Sequence, residues 1–222
     1  MASPYIPVSV SNVQADFSQG EGTTTNLGGI YYAGPITFTI AGQQIIVWCD
    51  DLFNDVYIGS SNQYFETDSQ GANAYLLNPA LTPSQQITLD HQIAGLAYKG
   101  TILAEPDGMT PASGAEIQLA IWELENPGLT DTDLAFQSGV NGLIGQSSSY
   151  YDAMLNAGYA YGELESPGCG QAPGTIAYTN SCQTQGEIFV RAVPEPLTLS
   201  LFGAGLAGAV AGRRRRKTSK IA

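Results

Sequence analysis

The feature that most constrains this chain lies near its C-terminus. Leu197 to Gly212 reads LTLSLFGAGLAGAVAG without a single charge and runs straight into Arg213, Arg214, Arg215, Arg216 and Lys217. An apolar run closed by arginines is expected to form a transmembrane helix, with the long basic side chains snorkelling to the cytoplasmic face. A buried Gly/Ala-rich helix at the end of a domain is the competing reading, but a solvated basic tail needs no apolar run ahead of it. This assigns residues 193–222 to a terminal segment and leaves residues 1–192 as the body that must fold. Positive-inside logic places that body outside the cytoplasm.

The body is acidic. Six of the eight Lys and Arg residues fall between Arg213 and Lys220, so residues 1–193 carry 19 Asp and Glu against Lys99 and Arg191 alone, a formal −17. A surface of that sign repels phosphate backbones and excludes a nucleic-acid partner. With 43% hydrophobic residues, 26 Gly and 12 Pro, the chain is too apolar for disorder and too irregular for a coiled coil.

Residues 5–16 and 29–48 are rich in Tyr, Ile, Val, Thr and Phe, broken by Gly and Pro, as strands joined by turns are. Pro35 to Ile40 alternates with period 2, and Ala41-Gly42-Gln43 turns the chain into Ile45-Ile46-Val47-Trp48-Cys49, which predicts a hairpin. Pro83-Ser84 opens a helix expected to close at Gly100. Ser113 and Glu116 have capping-box spacing ahead of Ile117-Gln118-Leu119-Ala120-Ile121-Trp122, a helix that should stop at Asn126-Pro127-Gly128. On it Ile117, Ala120, Ile121 and Leu124 share a core face, and Gln118 and Trp122 are neighbours at i and i+4. Two more helices are expected at 131–145 and 148–158, then strands at 174–179 and 186–192. Strands at both ends with helices between them predict an α+β fold, a β-sandwich or barrel with an inserted helical subdomain, followed by a C-terminal transmembrane helix.

Just before the apolar run stand Pro194, Glu195 and Pro196. The order Pro-Glu-Pro, short apolar helix, arginine cluster resembles the PEP-CTERM sorting signal. That resemblance implies a Gram-negative, exopolysaccharide-producing bacterium and processing by exosortase, a membrane-embedded cysteine transpeptidase. The helix is then a sorting segment that anchors the chain transiently in the inner membrane. An exported protein also needs an N-terminal leader, and Met1 to Val13 has neither its charged nor its apolar region, so a leader is expected ahead of residue 1.

Three cysteines in an exported chain leave one over when two pair. Cys169 and Cys182 lie close together in a Gly/Pro-rich stretch that a disulfide can close cheaply, which leaves Cys49 outside it. Trp48-Cys49-Asp50 and, later, Gln118-Leu119-Ala120-Ile121-Trp122 resemble the two signatures of bacterial surface thioester domains, with Ile117 where that family usually has Thr. The resemblance implies that the Cys49 sulphur and the Gln118 side-chain carbonyl form an internal thioester, supported by Asp50 and Trp122, and that an amine attacks it to leave an isopeptide crosslink. Cysteine is the strongest side-chain nucleophile, and a thioester survives only where apolar neighbours such as Val47, Ile121 and Trp122 exclude water.

Two functions follow as expectations. One is a covalent adhesin whose target is an amine on a surface protein or in the matrix. The other is a non-covalent structural or carbohydrate-binding protein of an exopolysaccharide biofilm matrix, with the tyrosines as sugar platforms. Asp50, Asp51, Asn54 and Asp55 lack the glycine and terminal Glu of a calcium loop, and His91 is the only histidine, so neither a metal nor a cofactor is expected. Glu123 and Glu125 do not face each other on a helix and read as a solvated face. No nucleophile, base and orienting group assemble into a turnover enzyme.

Overall fold

The computed structural model describes residues 8–17, 20–28, 30–40, 42–50, 52, 62–68, 81–104, 109–165 and 186–193. Residues 1–191 pack as one unit and 192–222 as another. The chain runs β1 (Val8–Phe17), β2 (Glu21–Thr24), β3 (Ile30–Ala33), β4 (Ile36–Ile40), β5 (Gln43–Cys49) and β6 (Asn62–Asp68). Three helices follow, α1 (Pro83–Ala104), α2 (Pro111–Glu125) and α3 (Leu134–Asn156), and then β7 (Tyr159–Glu165) and β8 (Glu187–Ala192). Six strands close into a barrel in the order β1-β4-β5-β8-β7-β6, while β2 and β3 form a separate two-stranded hairpin. The arrangement is α+β, with the helices inserted as a block between β6 and β7.

The β4–β5 hairpin forms as its alternation dictates, with Ile40 opposite Gln43 and Gly42 supplying the positive φ of the turn, 81°. Ile36 lies opposite Val47 and Val47 opposite Phe189, so one row of side chains crosses three strands and joins Phe38 and Leu164 in the barrel core. The alternate residues Trp48 and Ile188, also register partners, belong to the core shared with the helices. Period-2 alternation thus splits β5 and β8 between two hydrophobic clusters.

The helices depart from expectation in three places. Gly100 does not end α1, which continues to Ala104. The glycine is there because the Trp48 ring lies on it, and a methyl at that position would fall inside the indole. The stretches expected at 131–145 and 148–158 are one helix, α3, with Asp133 as N-cap accepting from the Ala135 and Phe136 amides. At α2 the capping box lies one turn earlier than expected. Thr110 is the N-cap and Ser113 its N3 partner, each side chain meeting the other's backbone N–H at 3.1 Å. Pro111 at the first helical position needs no hydrogen-bonded N–H, which fixes that start.

Among the described residues no helix is long and apolar enough to cross a membrane. The run 197–212, Pro194, Glu195, Pro196, Cys169, Cys182, Asp51, Asn54, Asp55 and the strand expected at 174–179 lie outside the described residues.

Candidate functional site

Cys49 ends β5 at the rim of the barrel. Asp50 N–H donates to the Gly186 carbonyl at 3.1 Å, so Asp50 and Gly186 are a hydrogen-bonded pair and Cys49 with Glu187 is the adjacent non-hydrogen-bonded pair. The Cys49 N–H and C=O therefore point the other way, toward β4. But β4 begins at Ile36, opposite Val47, so its register stops short of Cys49. A buried backbone N–H or C=O left without a partner costs about 1–3 kcal/mol.

Gln118 takes the place of the absent strand. Its Oε1 accepts from the Cys49 N–H at 3.0 Å and its Nε2 donates to the Cys49 carbonyl at 2.6 Å. One turn further along α2, Trp122 Nε1 donates to the Cys49 Sγ at 3.2 Å. The i, i+4 spacing read from sequence thus brings both side chains onto one cysteine across 69 and 73 positions. Cys49, Gln118 and Trp122 are 2%, 1% and 3% exposed, and Val47 and Ile121 are fully buried nearby in sequence, so water is excluded. Tyr31 of β3 meets Trp122 edge-on, with ring centroids 6.4 Å apart.

The arrangement has chemical content. The Cys49 N–H addresses the oxygen on which negative charge develops when a nucleophile attacks the Gln118 carbonyl, as oxyanion-stabilising donors do. The Trp122 N–H addresses the sulphur, where it can stabilise charge that develops as the C–S bond forms or breaks. Asp50 is buried beside them and its backbone is fixed by Gly186. Glu187, fully buried across the strand pair from Cys49, was missed by sequence reasoning. Its one signal is an acid in an apolar strand, Glu187-Ile188-Phe189-Val190.

Beyond the C-terminal end of α2 a polar latch holds the β2–β3 hairpin. Thr23 Oγ1 donates to Asp131 Oδ2, the Asn26 N–H to the Thr130 carbonyl at 2.9 Å, and the Thr132 N–H to the Thr24 carbonyl at 3.0 Å. Gln137 joins the latch to α2, accepting from the Asp131 N–H at 2.6 Å and donating to Glu123 Oε1 at 2.8 Å. Glu123 and Glu125 are therefore not a solvated face: Glu123 is half-buried in this network and Glu125 is buried. Burial raises the Glu123 carboxyl above its ordinary value, with the Asp131 charge adding and the Gln137 hydrogen bond opposing. Burial and Glu21 likewise raise Glu116. His91 stacks on Tyr151 at 4.1 Å, and the Tyr161 hydroxyl donates to Asp90. Burial and the Asp90 charge push the Tyr161 phenol upward. Among the described residues no three His, Cys, Asp or Glu side chains group as a metal site.

Comparison with known proteins adds the terminal segment. Residues 192–216 match the PEP-CTERM protein-sorting motif. The chain carries an exosortase sorting signal. The signal implies processing by exosortase. Two solved structures are similar to this chain, each 14% identical. The N-terminal thioester domain of fibronectin-binding protein SfbI from Streptococcus pyogenes has a TM-score of 0.46, with 87% of this chain and 100% of that one covered. The N-terminal domain of the Streptococcus pyogenes pilus tip adhesin Cpa has a TM-score of 0.48, with 87% of this chain and 96% of that one covered. No curated protein matches the chain.

Proposed function

We propose that this protein is an exported, exosortase-sorted surface or matrix protein that attaches covalently to its target through a thioester between Cys49 and Gln118. The observation that carries this reading is the buried Gln118 amide held on the Cys49 backbone, with Trp122 on the sulphur. Two backbone hydrogen bonds fix the amide next to the nucleophile before any chemistry begins, which removes most of the entropic cost of bringing them together. Sγ attacks the Gln118 side-chain carbonyl carbon, the C–N bond breaks, and ammonia leaves carrying the thiol proton. An amine of the target then attacks the same carbon, the C–S bond breaks, the thiol is regained, and an isopeptide bond remains. Each molecule acts once and is not a turnover enzyme.

The body's charge pattern supports this use. Lys99 is the only lysine before residue 217, so the domain offers its neighbours almost no amine with which to quench one another. The sorting signal supports release or anchoring outside the cytoplasm of a Gram-negative cell, where an exopolysaccharide matrix and surface proteins supply targets.

The test is the intact mass of the purified protein, analysed without reductant at mildly acidic pH. A mass light by one ammonia, and methylamine addition mapping to Gln118 that Cys49→Ala abolishes, is the expected result. Retention of the ammonia, with a titratable thiol mapping to Cys49, would leave a non-covalent matrix protein.

A further inference from the structure

We infer that Glu187 carries the proton between the Cys49 sulphur and the nitrogen on Gln118, both when the thioester forms and when it is spent. This inference rests on the thioester reading above and assigns a role to a residue outside the Cys and Gln motifs.

Cys49 and Glu187 are direct partners in the β5–β8 pairing. The Asp50 to Gly186 hydrogen bond places them in the non-hydrogen-bonded position, where facing side chains of an antiparallel pair come closest, with Cβ atoms roughly 4.5–5.5 Å apart on the same face. Glu187 is 0% exposed, between the buried Gly186 and Ile188. A carboxyl in such a place costs folding free energy that an apolar side chain would not. The other acids near the site are placed less well. Asp50 lies past the end of β5, Glu125 stands seven residues beyond Gln118 and so about 10 Å along the helix axis, and Glu123, five residues beyond Gln118, lies about 140° around the helix from it.

The proton count closes without any other reactant. In formation, the Glu187 carboxylate takes the Cys49 thiol proton, Sγ bonds to the Gln118 side-chain carbon, and Glu187 returns the proton to the departing nitrogen, which leaves as ammonia. In aminolysis a neutral amine attacks that carbon, its nitrogen becomes positive as the C–N bond forms, and Glu187 takes the excess proton. It delivers that proton to Sγ as the C–S bond breaks. The second sequence is the first run backwards with a substituted amine, so one proton carrier serves both.

The experiment compares two nucleophiles on the wild-type protein and on Glu187→Gln. Methylamine must lose a proton as it attacks, whereas 2-mercaptoethanol, reacting as its thiolate, exchanges with the thioester with no proton to move. Glu187→Gln is expected to slow methylamine addition by roughly 10²-fold and thiolate exchange by less than about threefold. A structural role for Glu187 would slow both together, and equal slowing overturns the inference, as does an unchanged methylamine rate. Should Glu187→Gln not fold, Glu187→Asp makes the same comparison, and an unaltered ratio of the two rates overturns the inference. A folded Glu187→Gln that keeps its ammonia is read beside Glu187→Asp. Ammonia loss regained in the aspartate variant supports the carrier, and its absence from both overturns it. Failure of the wild type itself to lose ammonia removes the thioester reading instead, so the two failures are distinguishable.

Discussion

Helix α2 and the turn that follows it are held by opposite means. Within the helix Gln118 and Trp122 grip a single cysteine through three buried contacts, with Val47 and Ile121 fully buried in the same elements. Beyond its end, the turn after α2 grips the β2–β3 hairpin through many hydrogen bonds among side chains that are largely half-buried or exposed. The difference shows how to separate reactive polar groups from structural ones. In the latch, most polar groups have neighbours that share their load and water nearby to replace a lost partner. At the barrel rim the amide is 1% exposed and, among the described residues, hydrogen-bonds to the backbone of Cys49 alone. A dry, minimal contact makes a poor general fastener and a good chemical site.

The largest expected effect comes from removing the dry contact. Gln118→Ala should abolish methylamine uptake altogether and, by stranding the residue-49 N–H and C=O, cost about 2–5 kcal/mol in urea unfolding relative to Cys49→Ala, which forms no thioester and keeps the intact amide. Stability equal to that of Cys49→Ala would mean that the two hydrogen bonds do not hold α2 to the barrel. Thr23→Val, which removes one buried hydrogen bond of the latch, should cost about 1.5–3 kcal/mol and leave ammonia loss intact by mass. Loss of the thioester in that variant would erase the distinction between the two attachments.

The smallest effect tests the charge on the half-buried Glu116 of α2. The Glu116 carboxyl is raised in the folded state by burial and by Glu21. The folded protein therefore binds this proton more tightly than the unfolded chain, and stability falls as pH rises through the carboxylate range. Glu116→Gln should raise the melting temperature at pH 7, by the equivalent of about 0.5 kcal/mol or less given its exposure, and leave it nearly unchanged near pH 4. A larger gain at pH 4 than at pH 7 would reverse the assigned sign.

Local patterns were legible in the sequence. The β4–β5 hairpin follows from alternation and Gly42, and the end of α2 from Asn126-Pro127-Gly128. Gln118 and Trp122 could be read as one face because helix periodicity puts them there. What the sequence hid depends on partners far along the chain. Gly100 reads as a helix stop until the Trp48 ring is seen lying on it. Glu187 reads as one acid among many until strand register sets it opposite Cys49. The Thr23 to Asp131 contact spans 108 positions and no local pattern announces it. The α2 cap slipped for a different reason, because Pro111 outweighs the Ser113 and Glu116 spacing.

The placement of Cys49 and Gln118 has a mechanical consequence. The 69 positions that separate them enclose β6 and all of α1. A covalent bond between them would take that segment out of the path of tension when the ends are pulled apart, hiding about 240 Å of extensible chain. Capture of an amine would open the loop yet leave it slack, because load would then enter at Gln118 and run through α2 and α3 toward the sorting signal, with residues 49–117 outside its path.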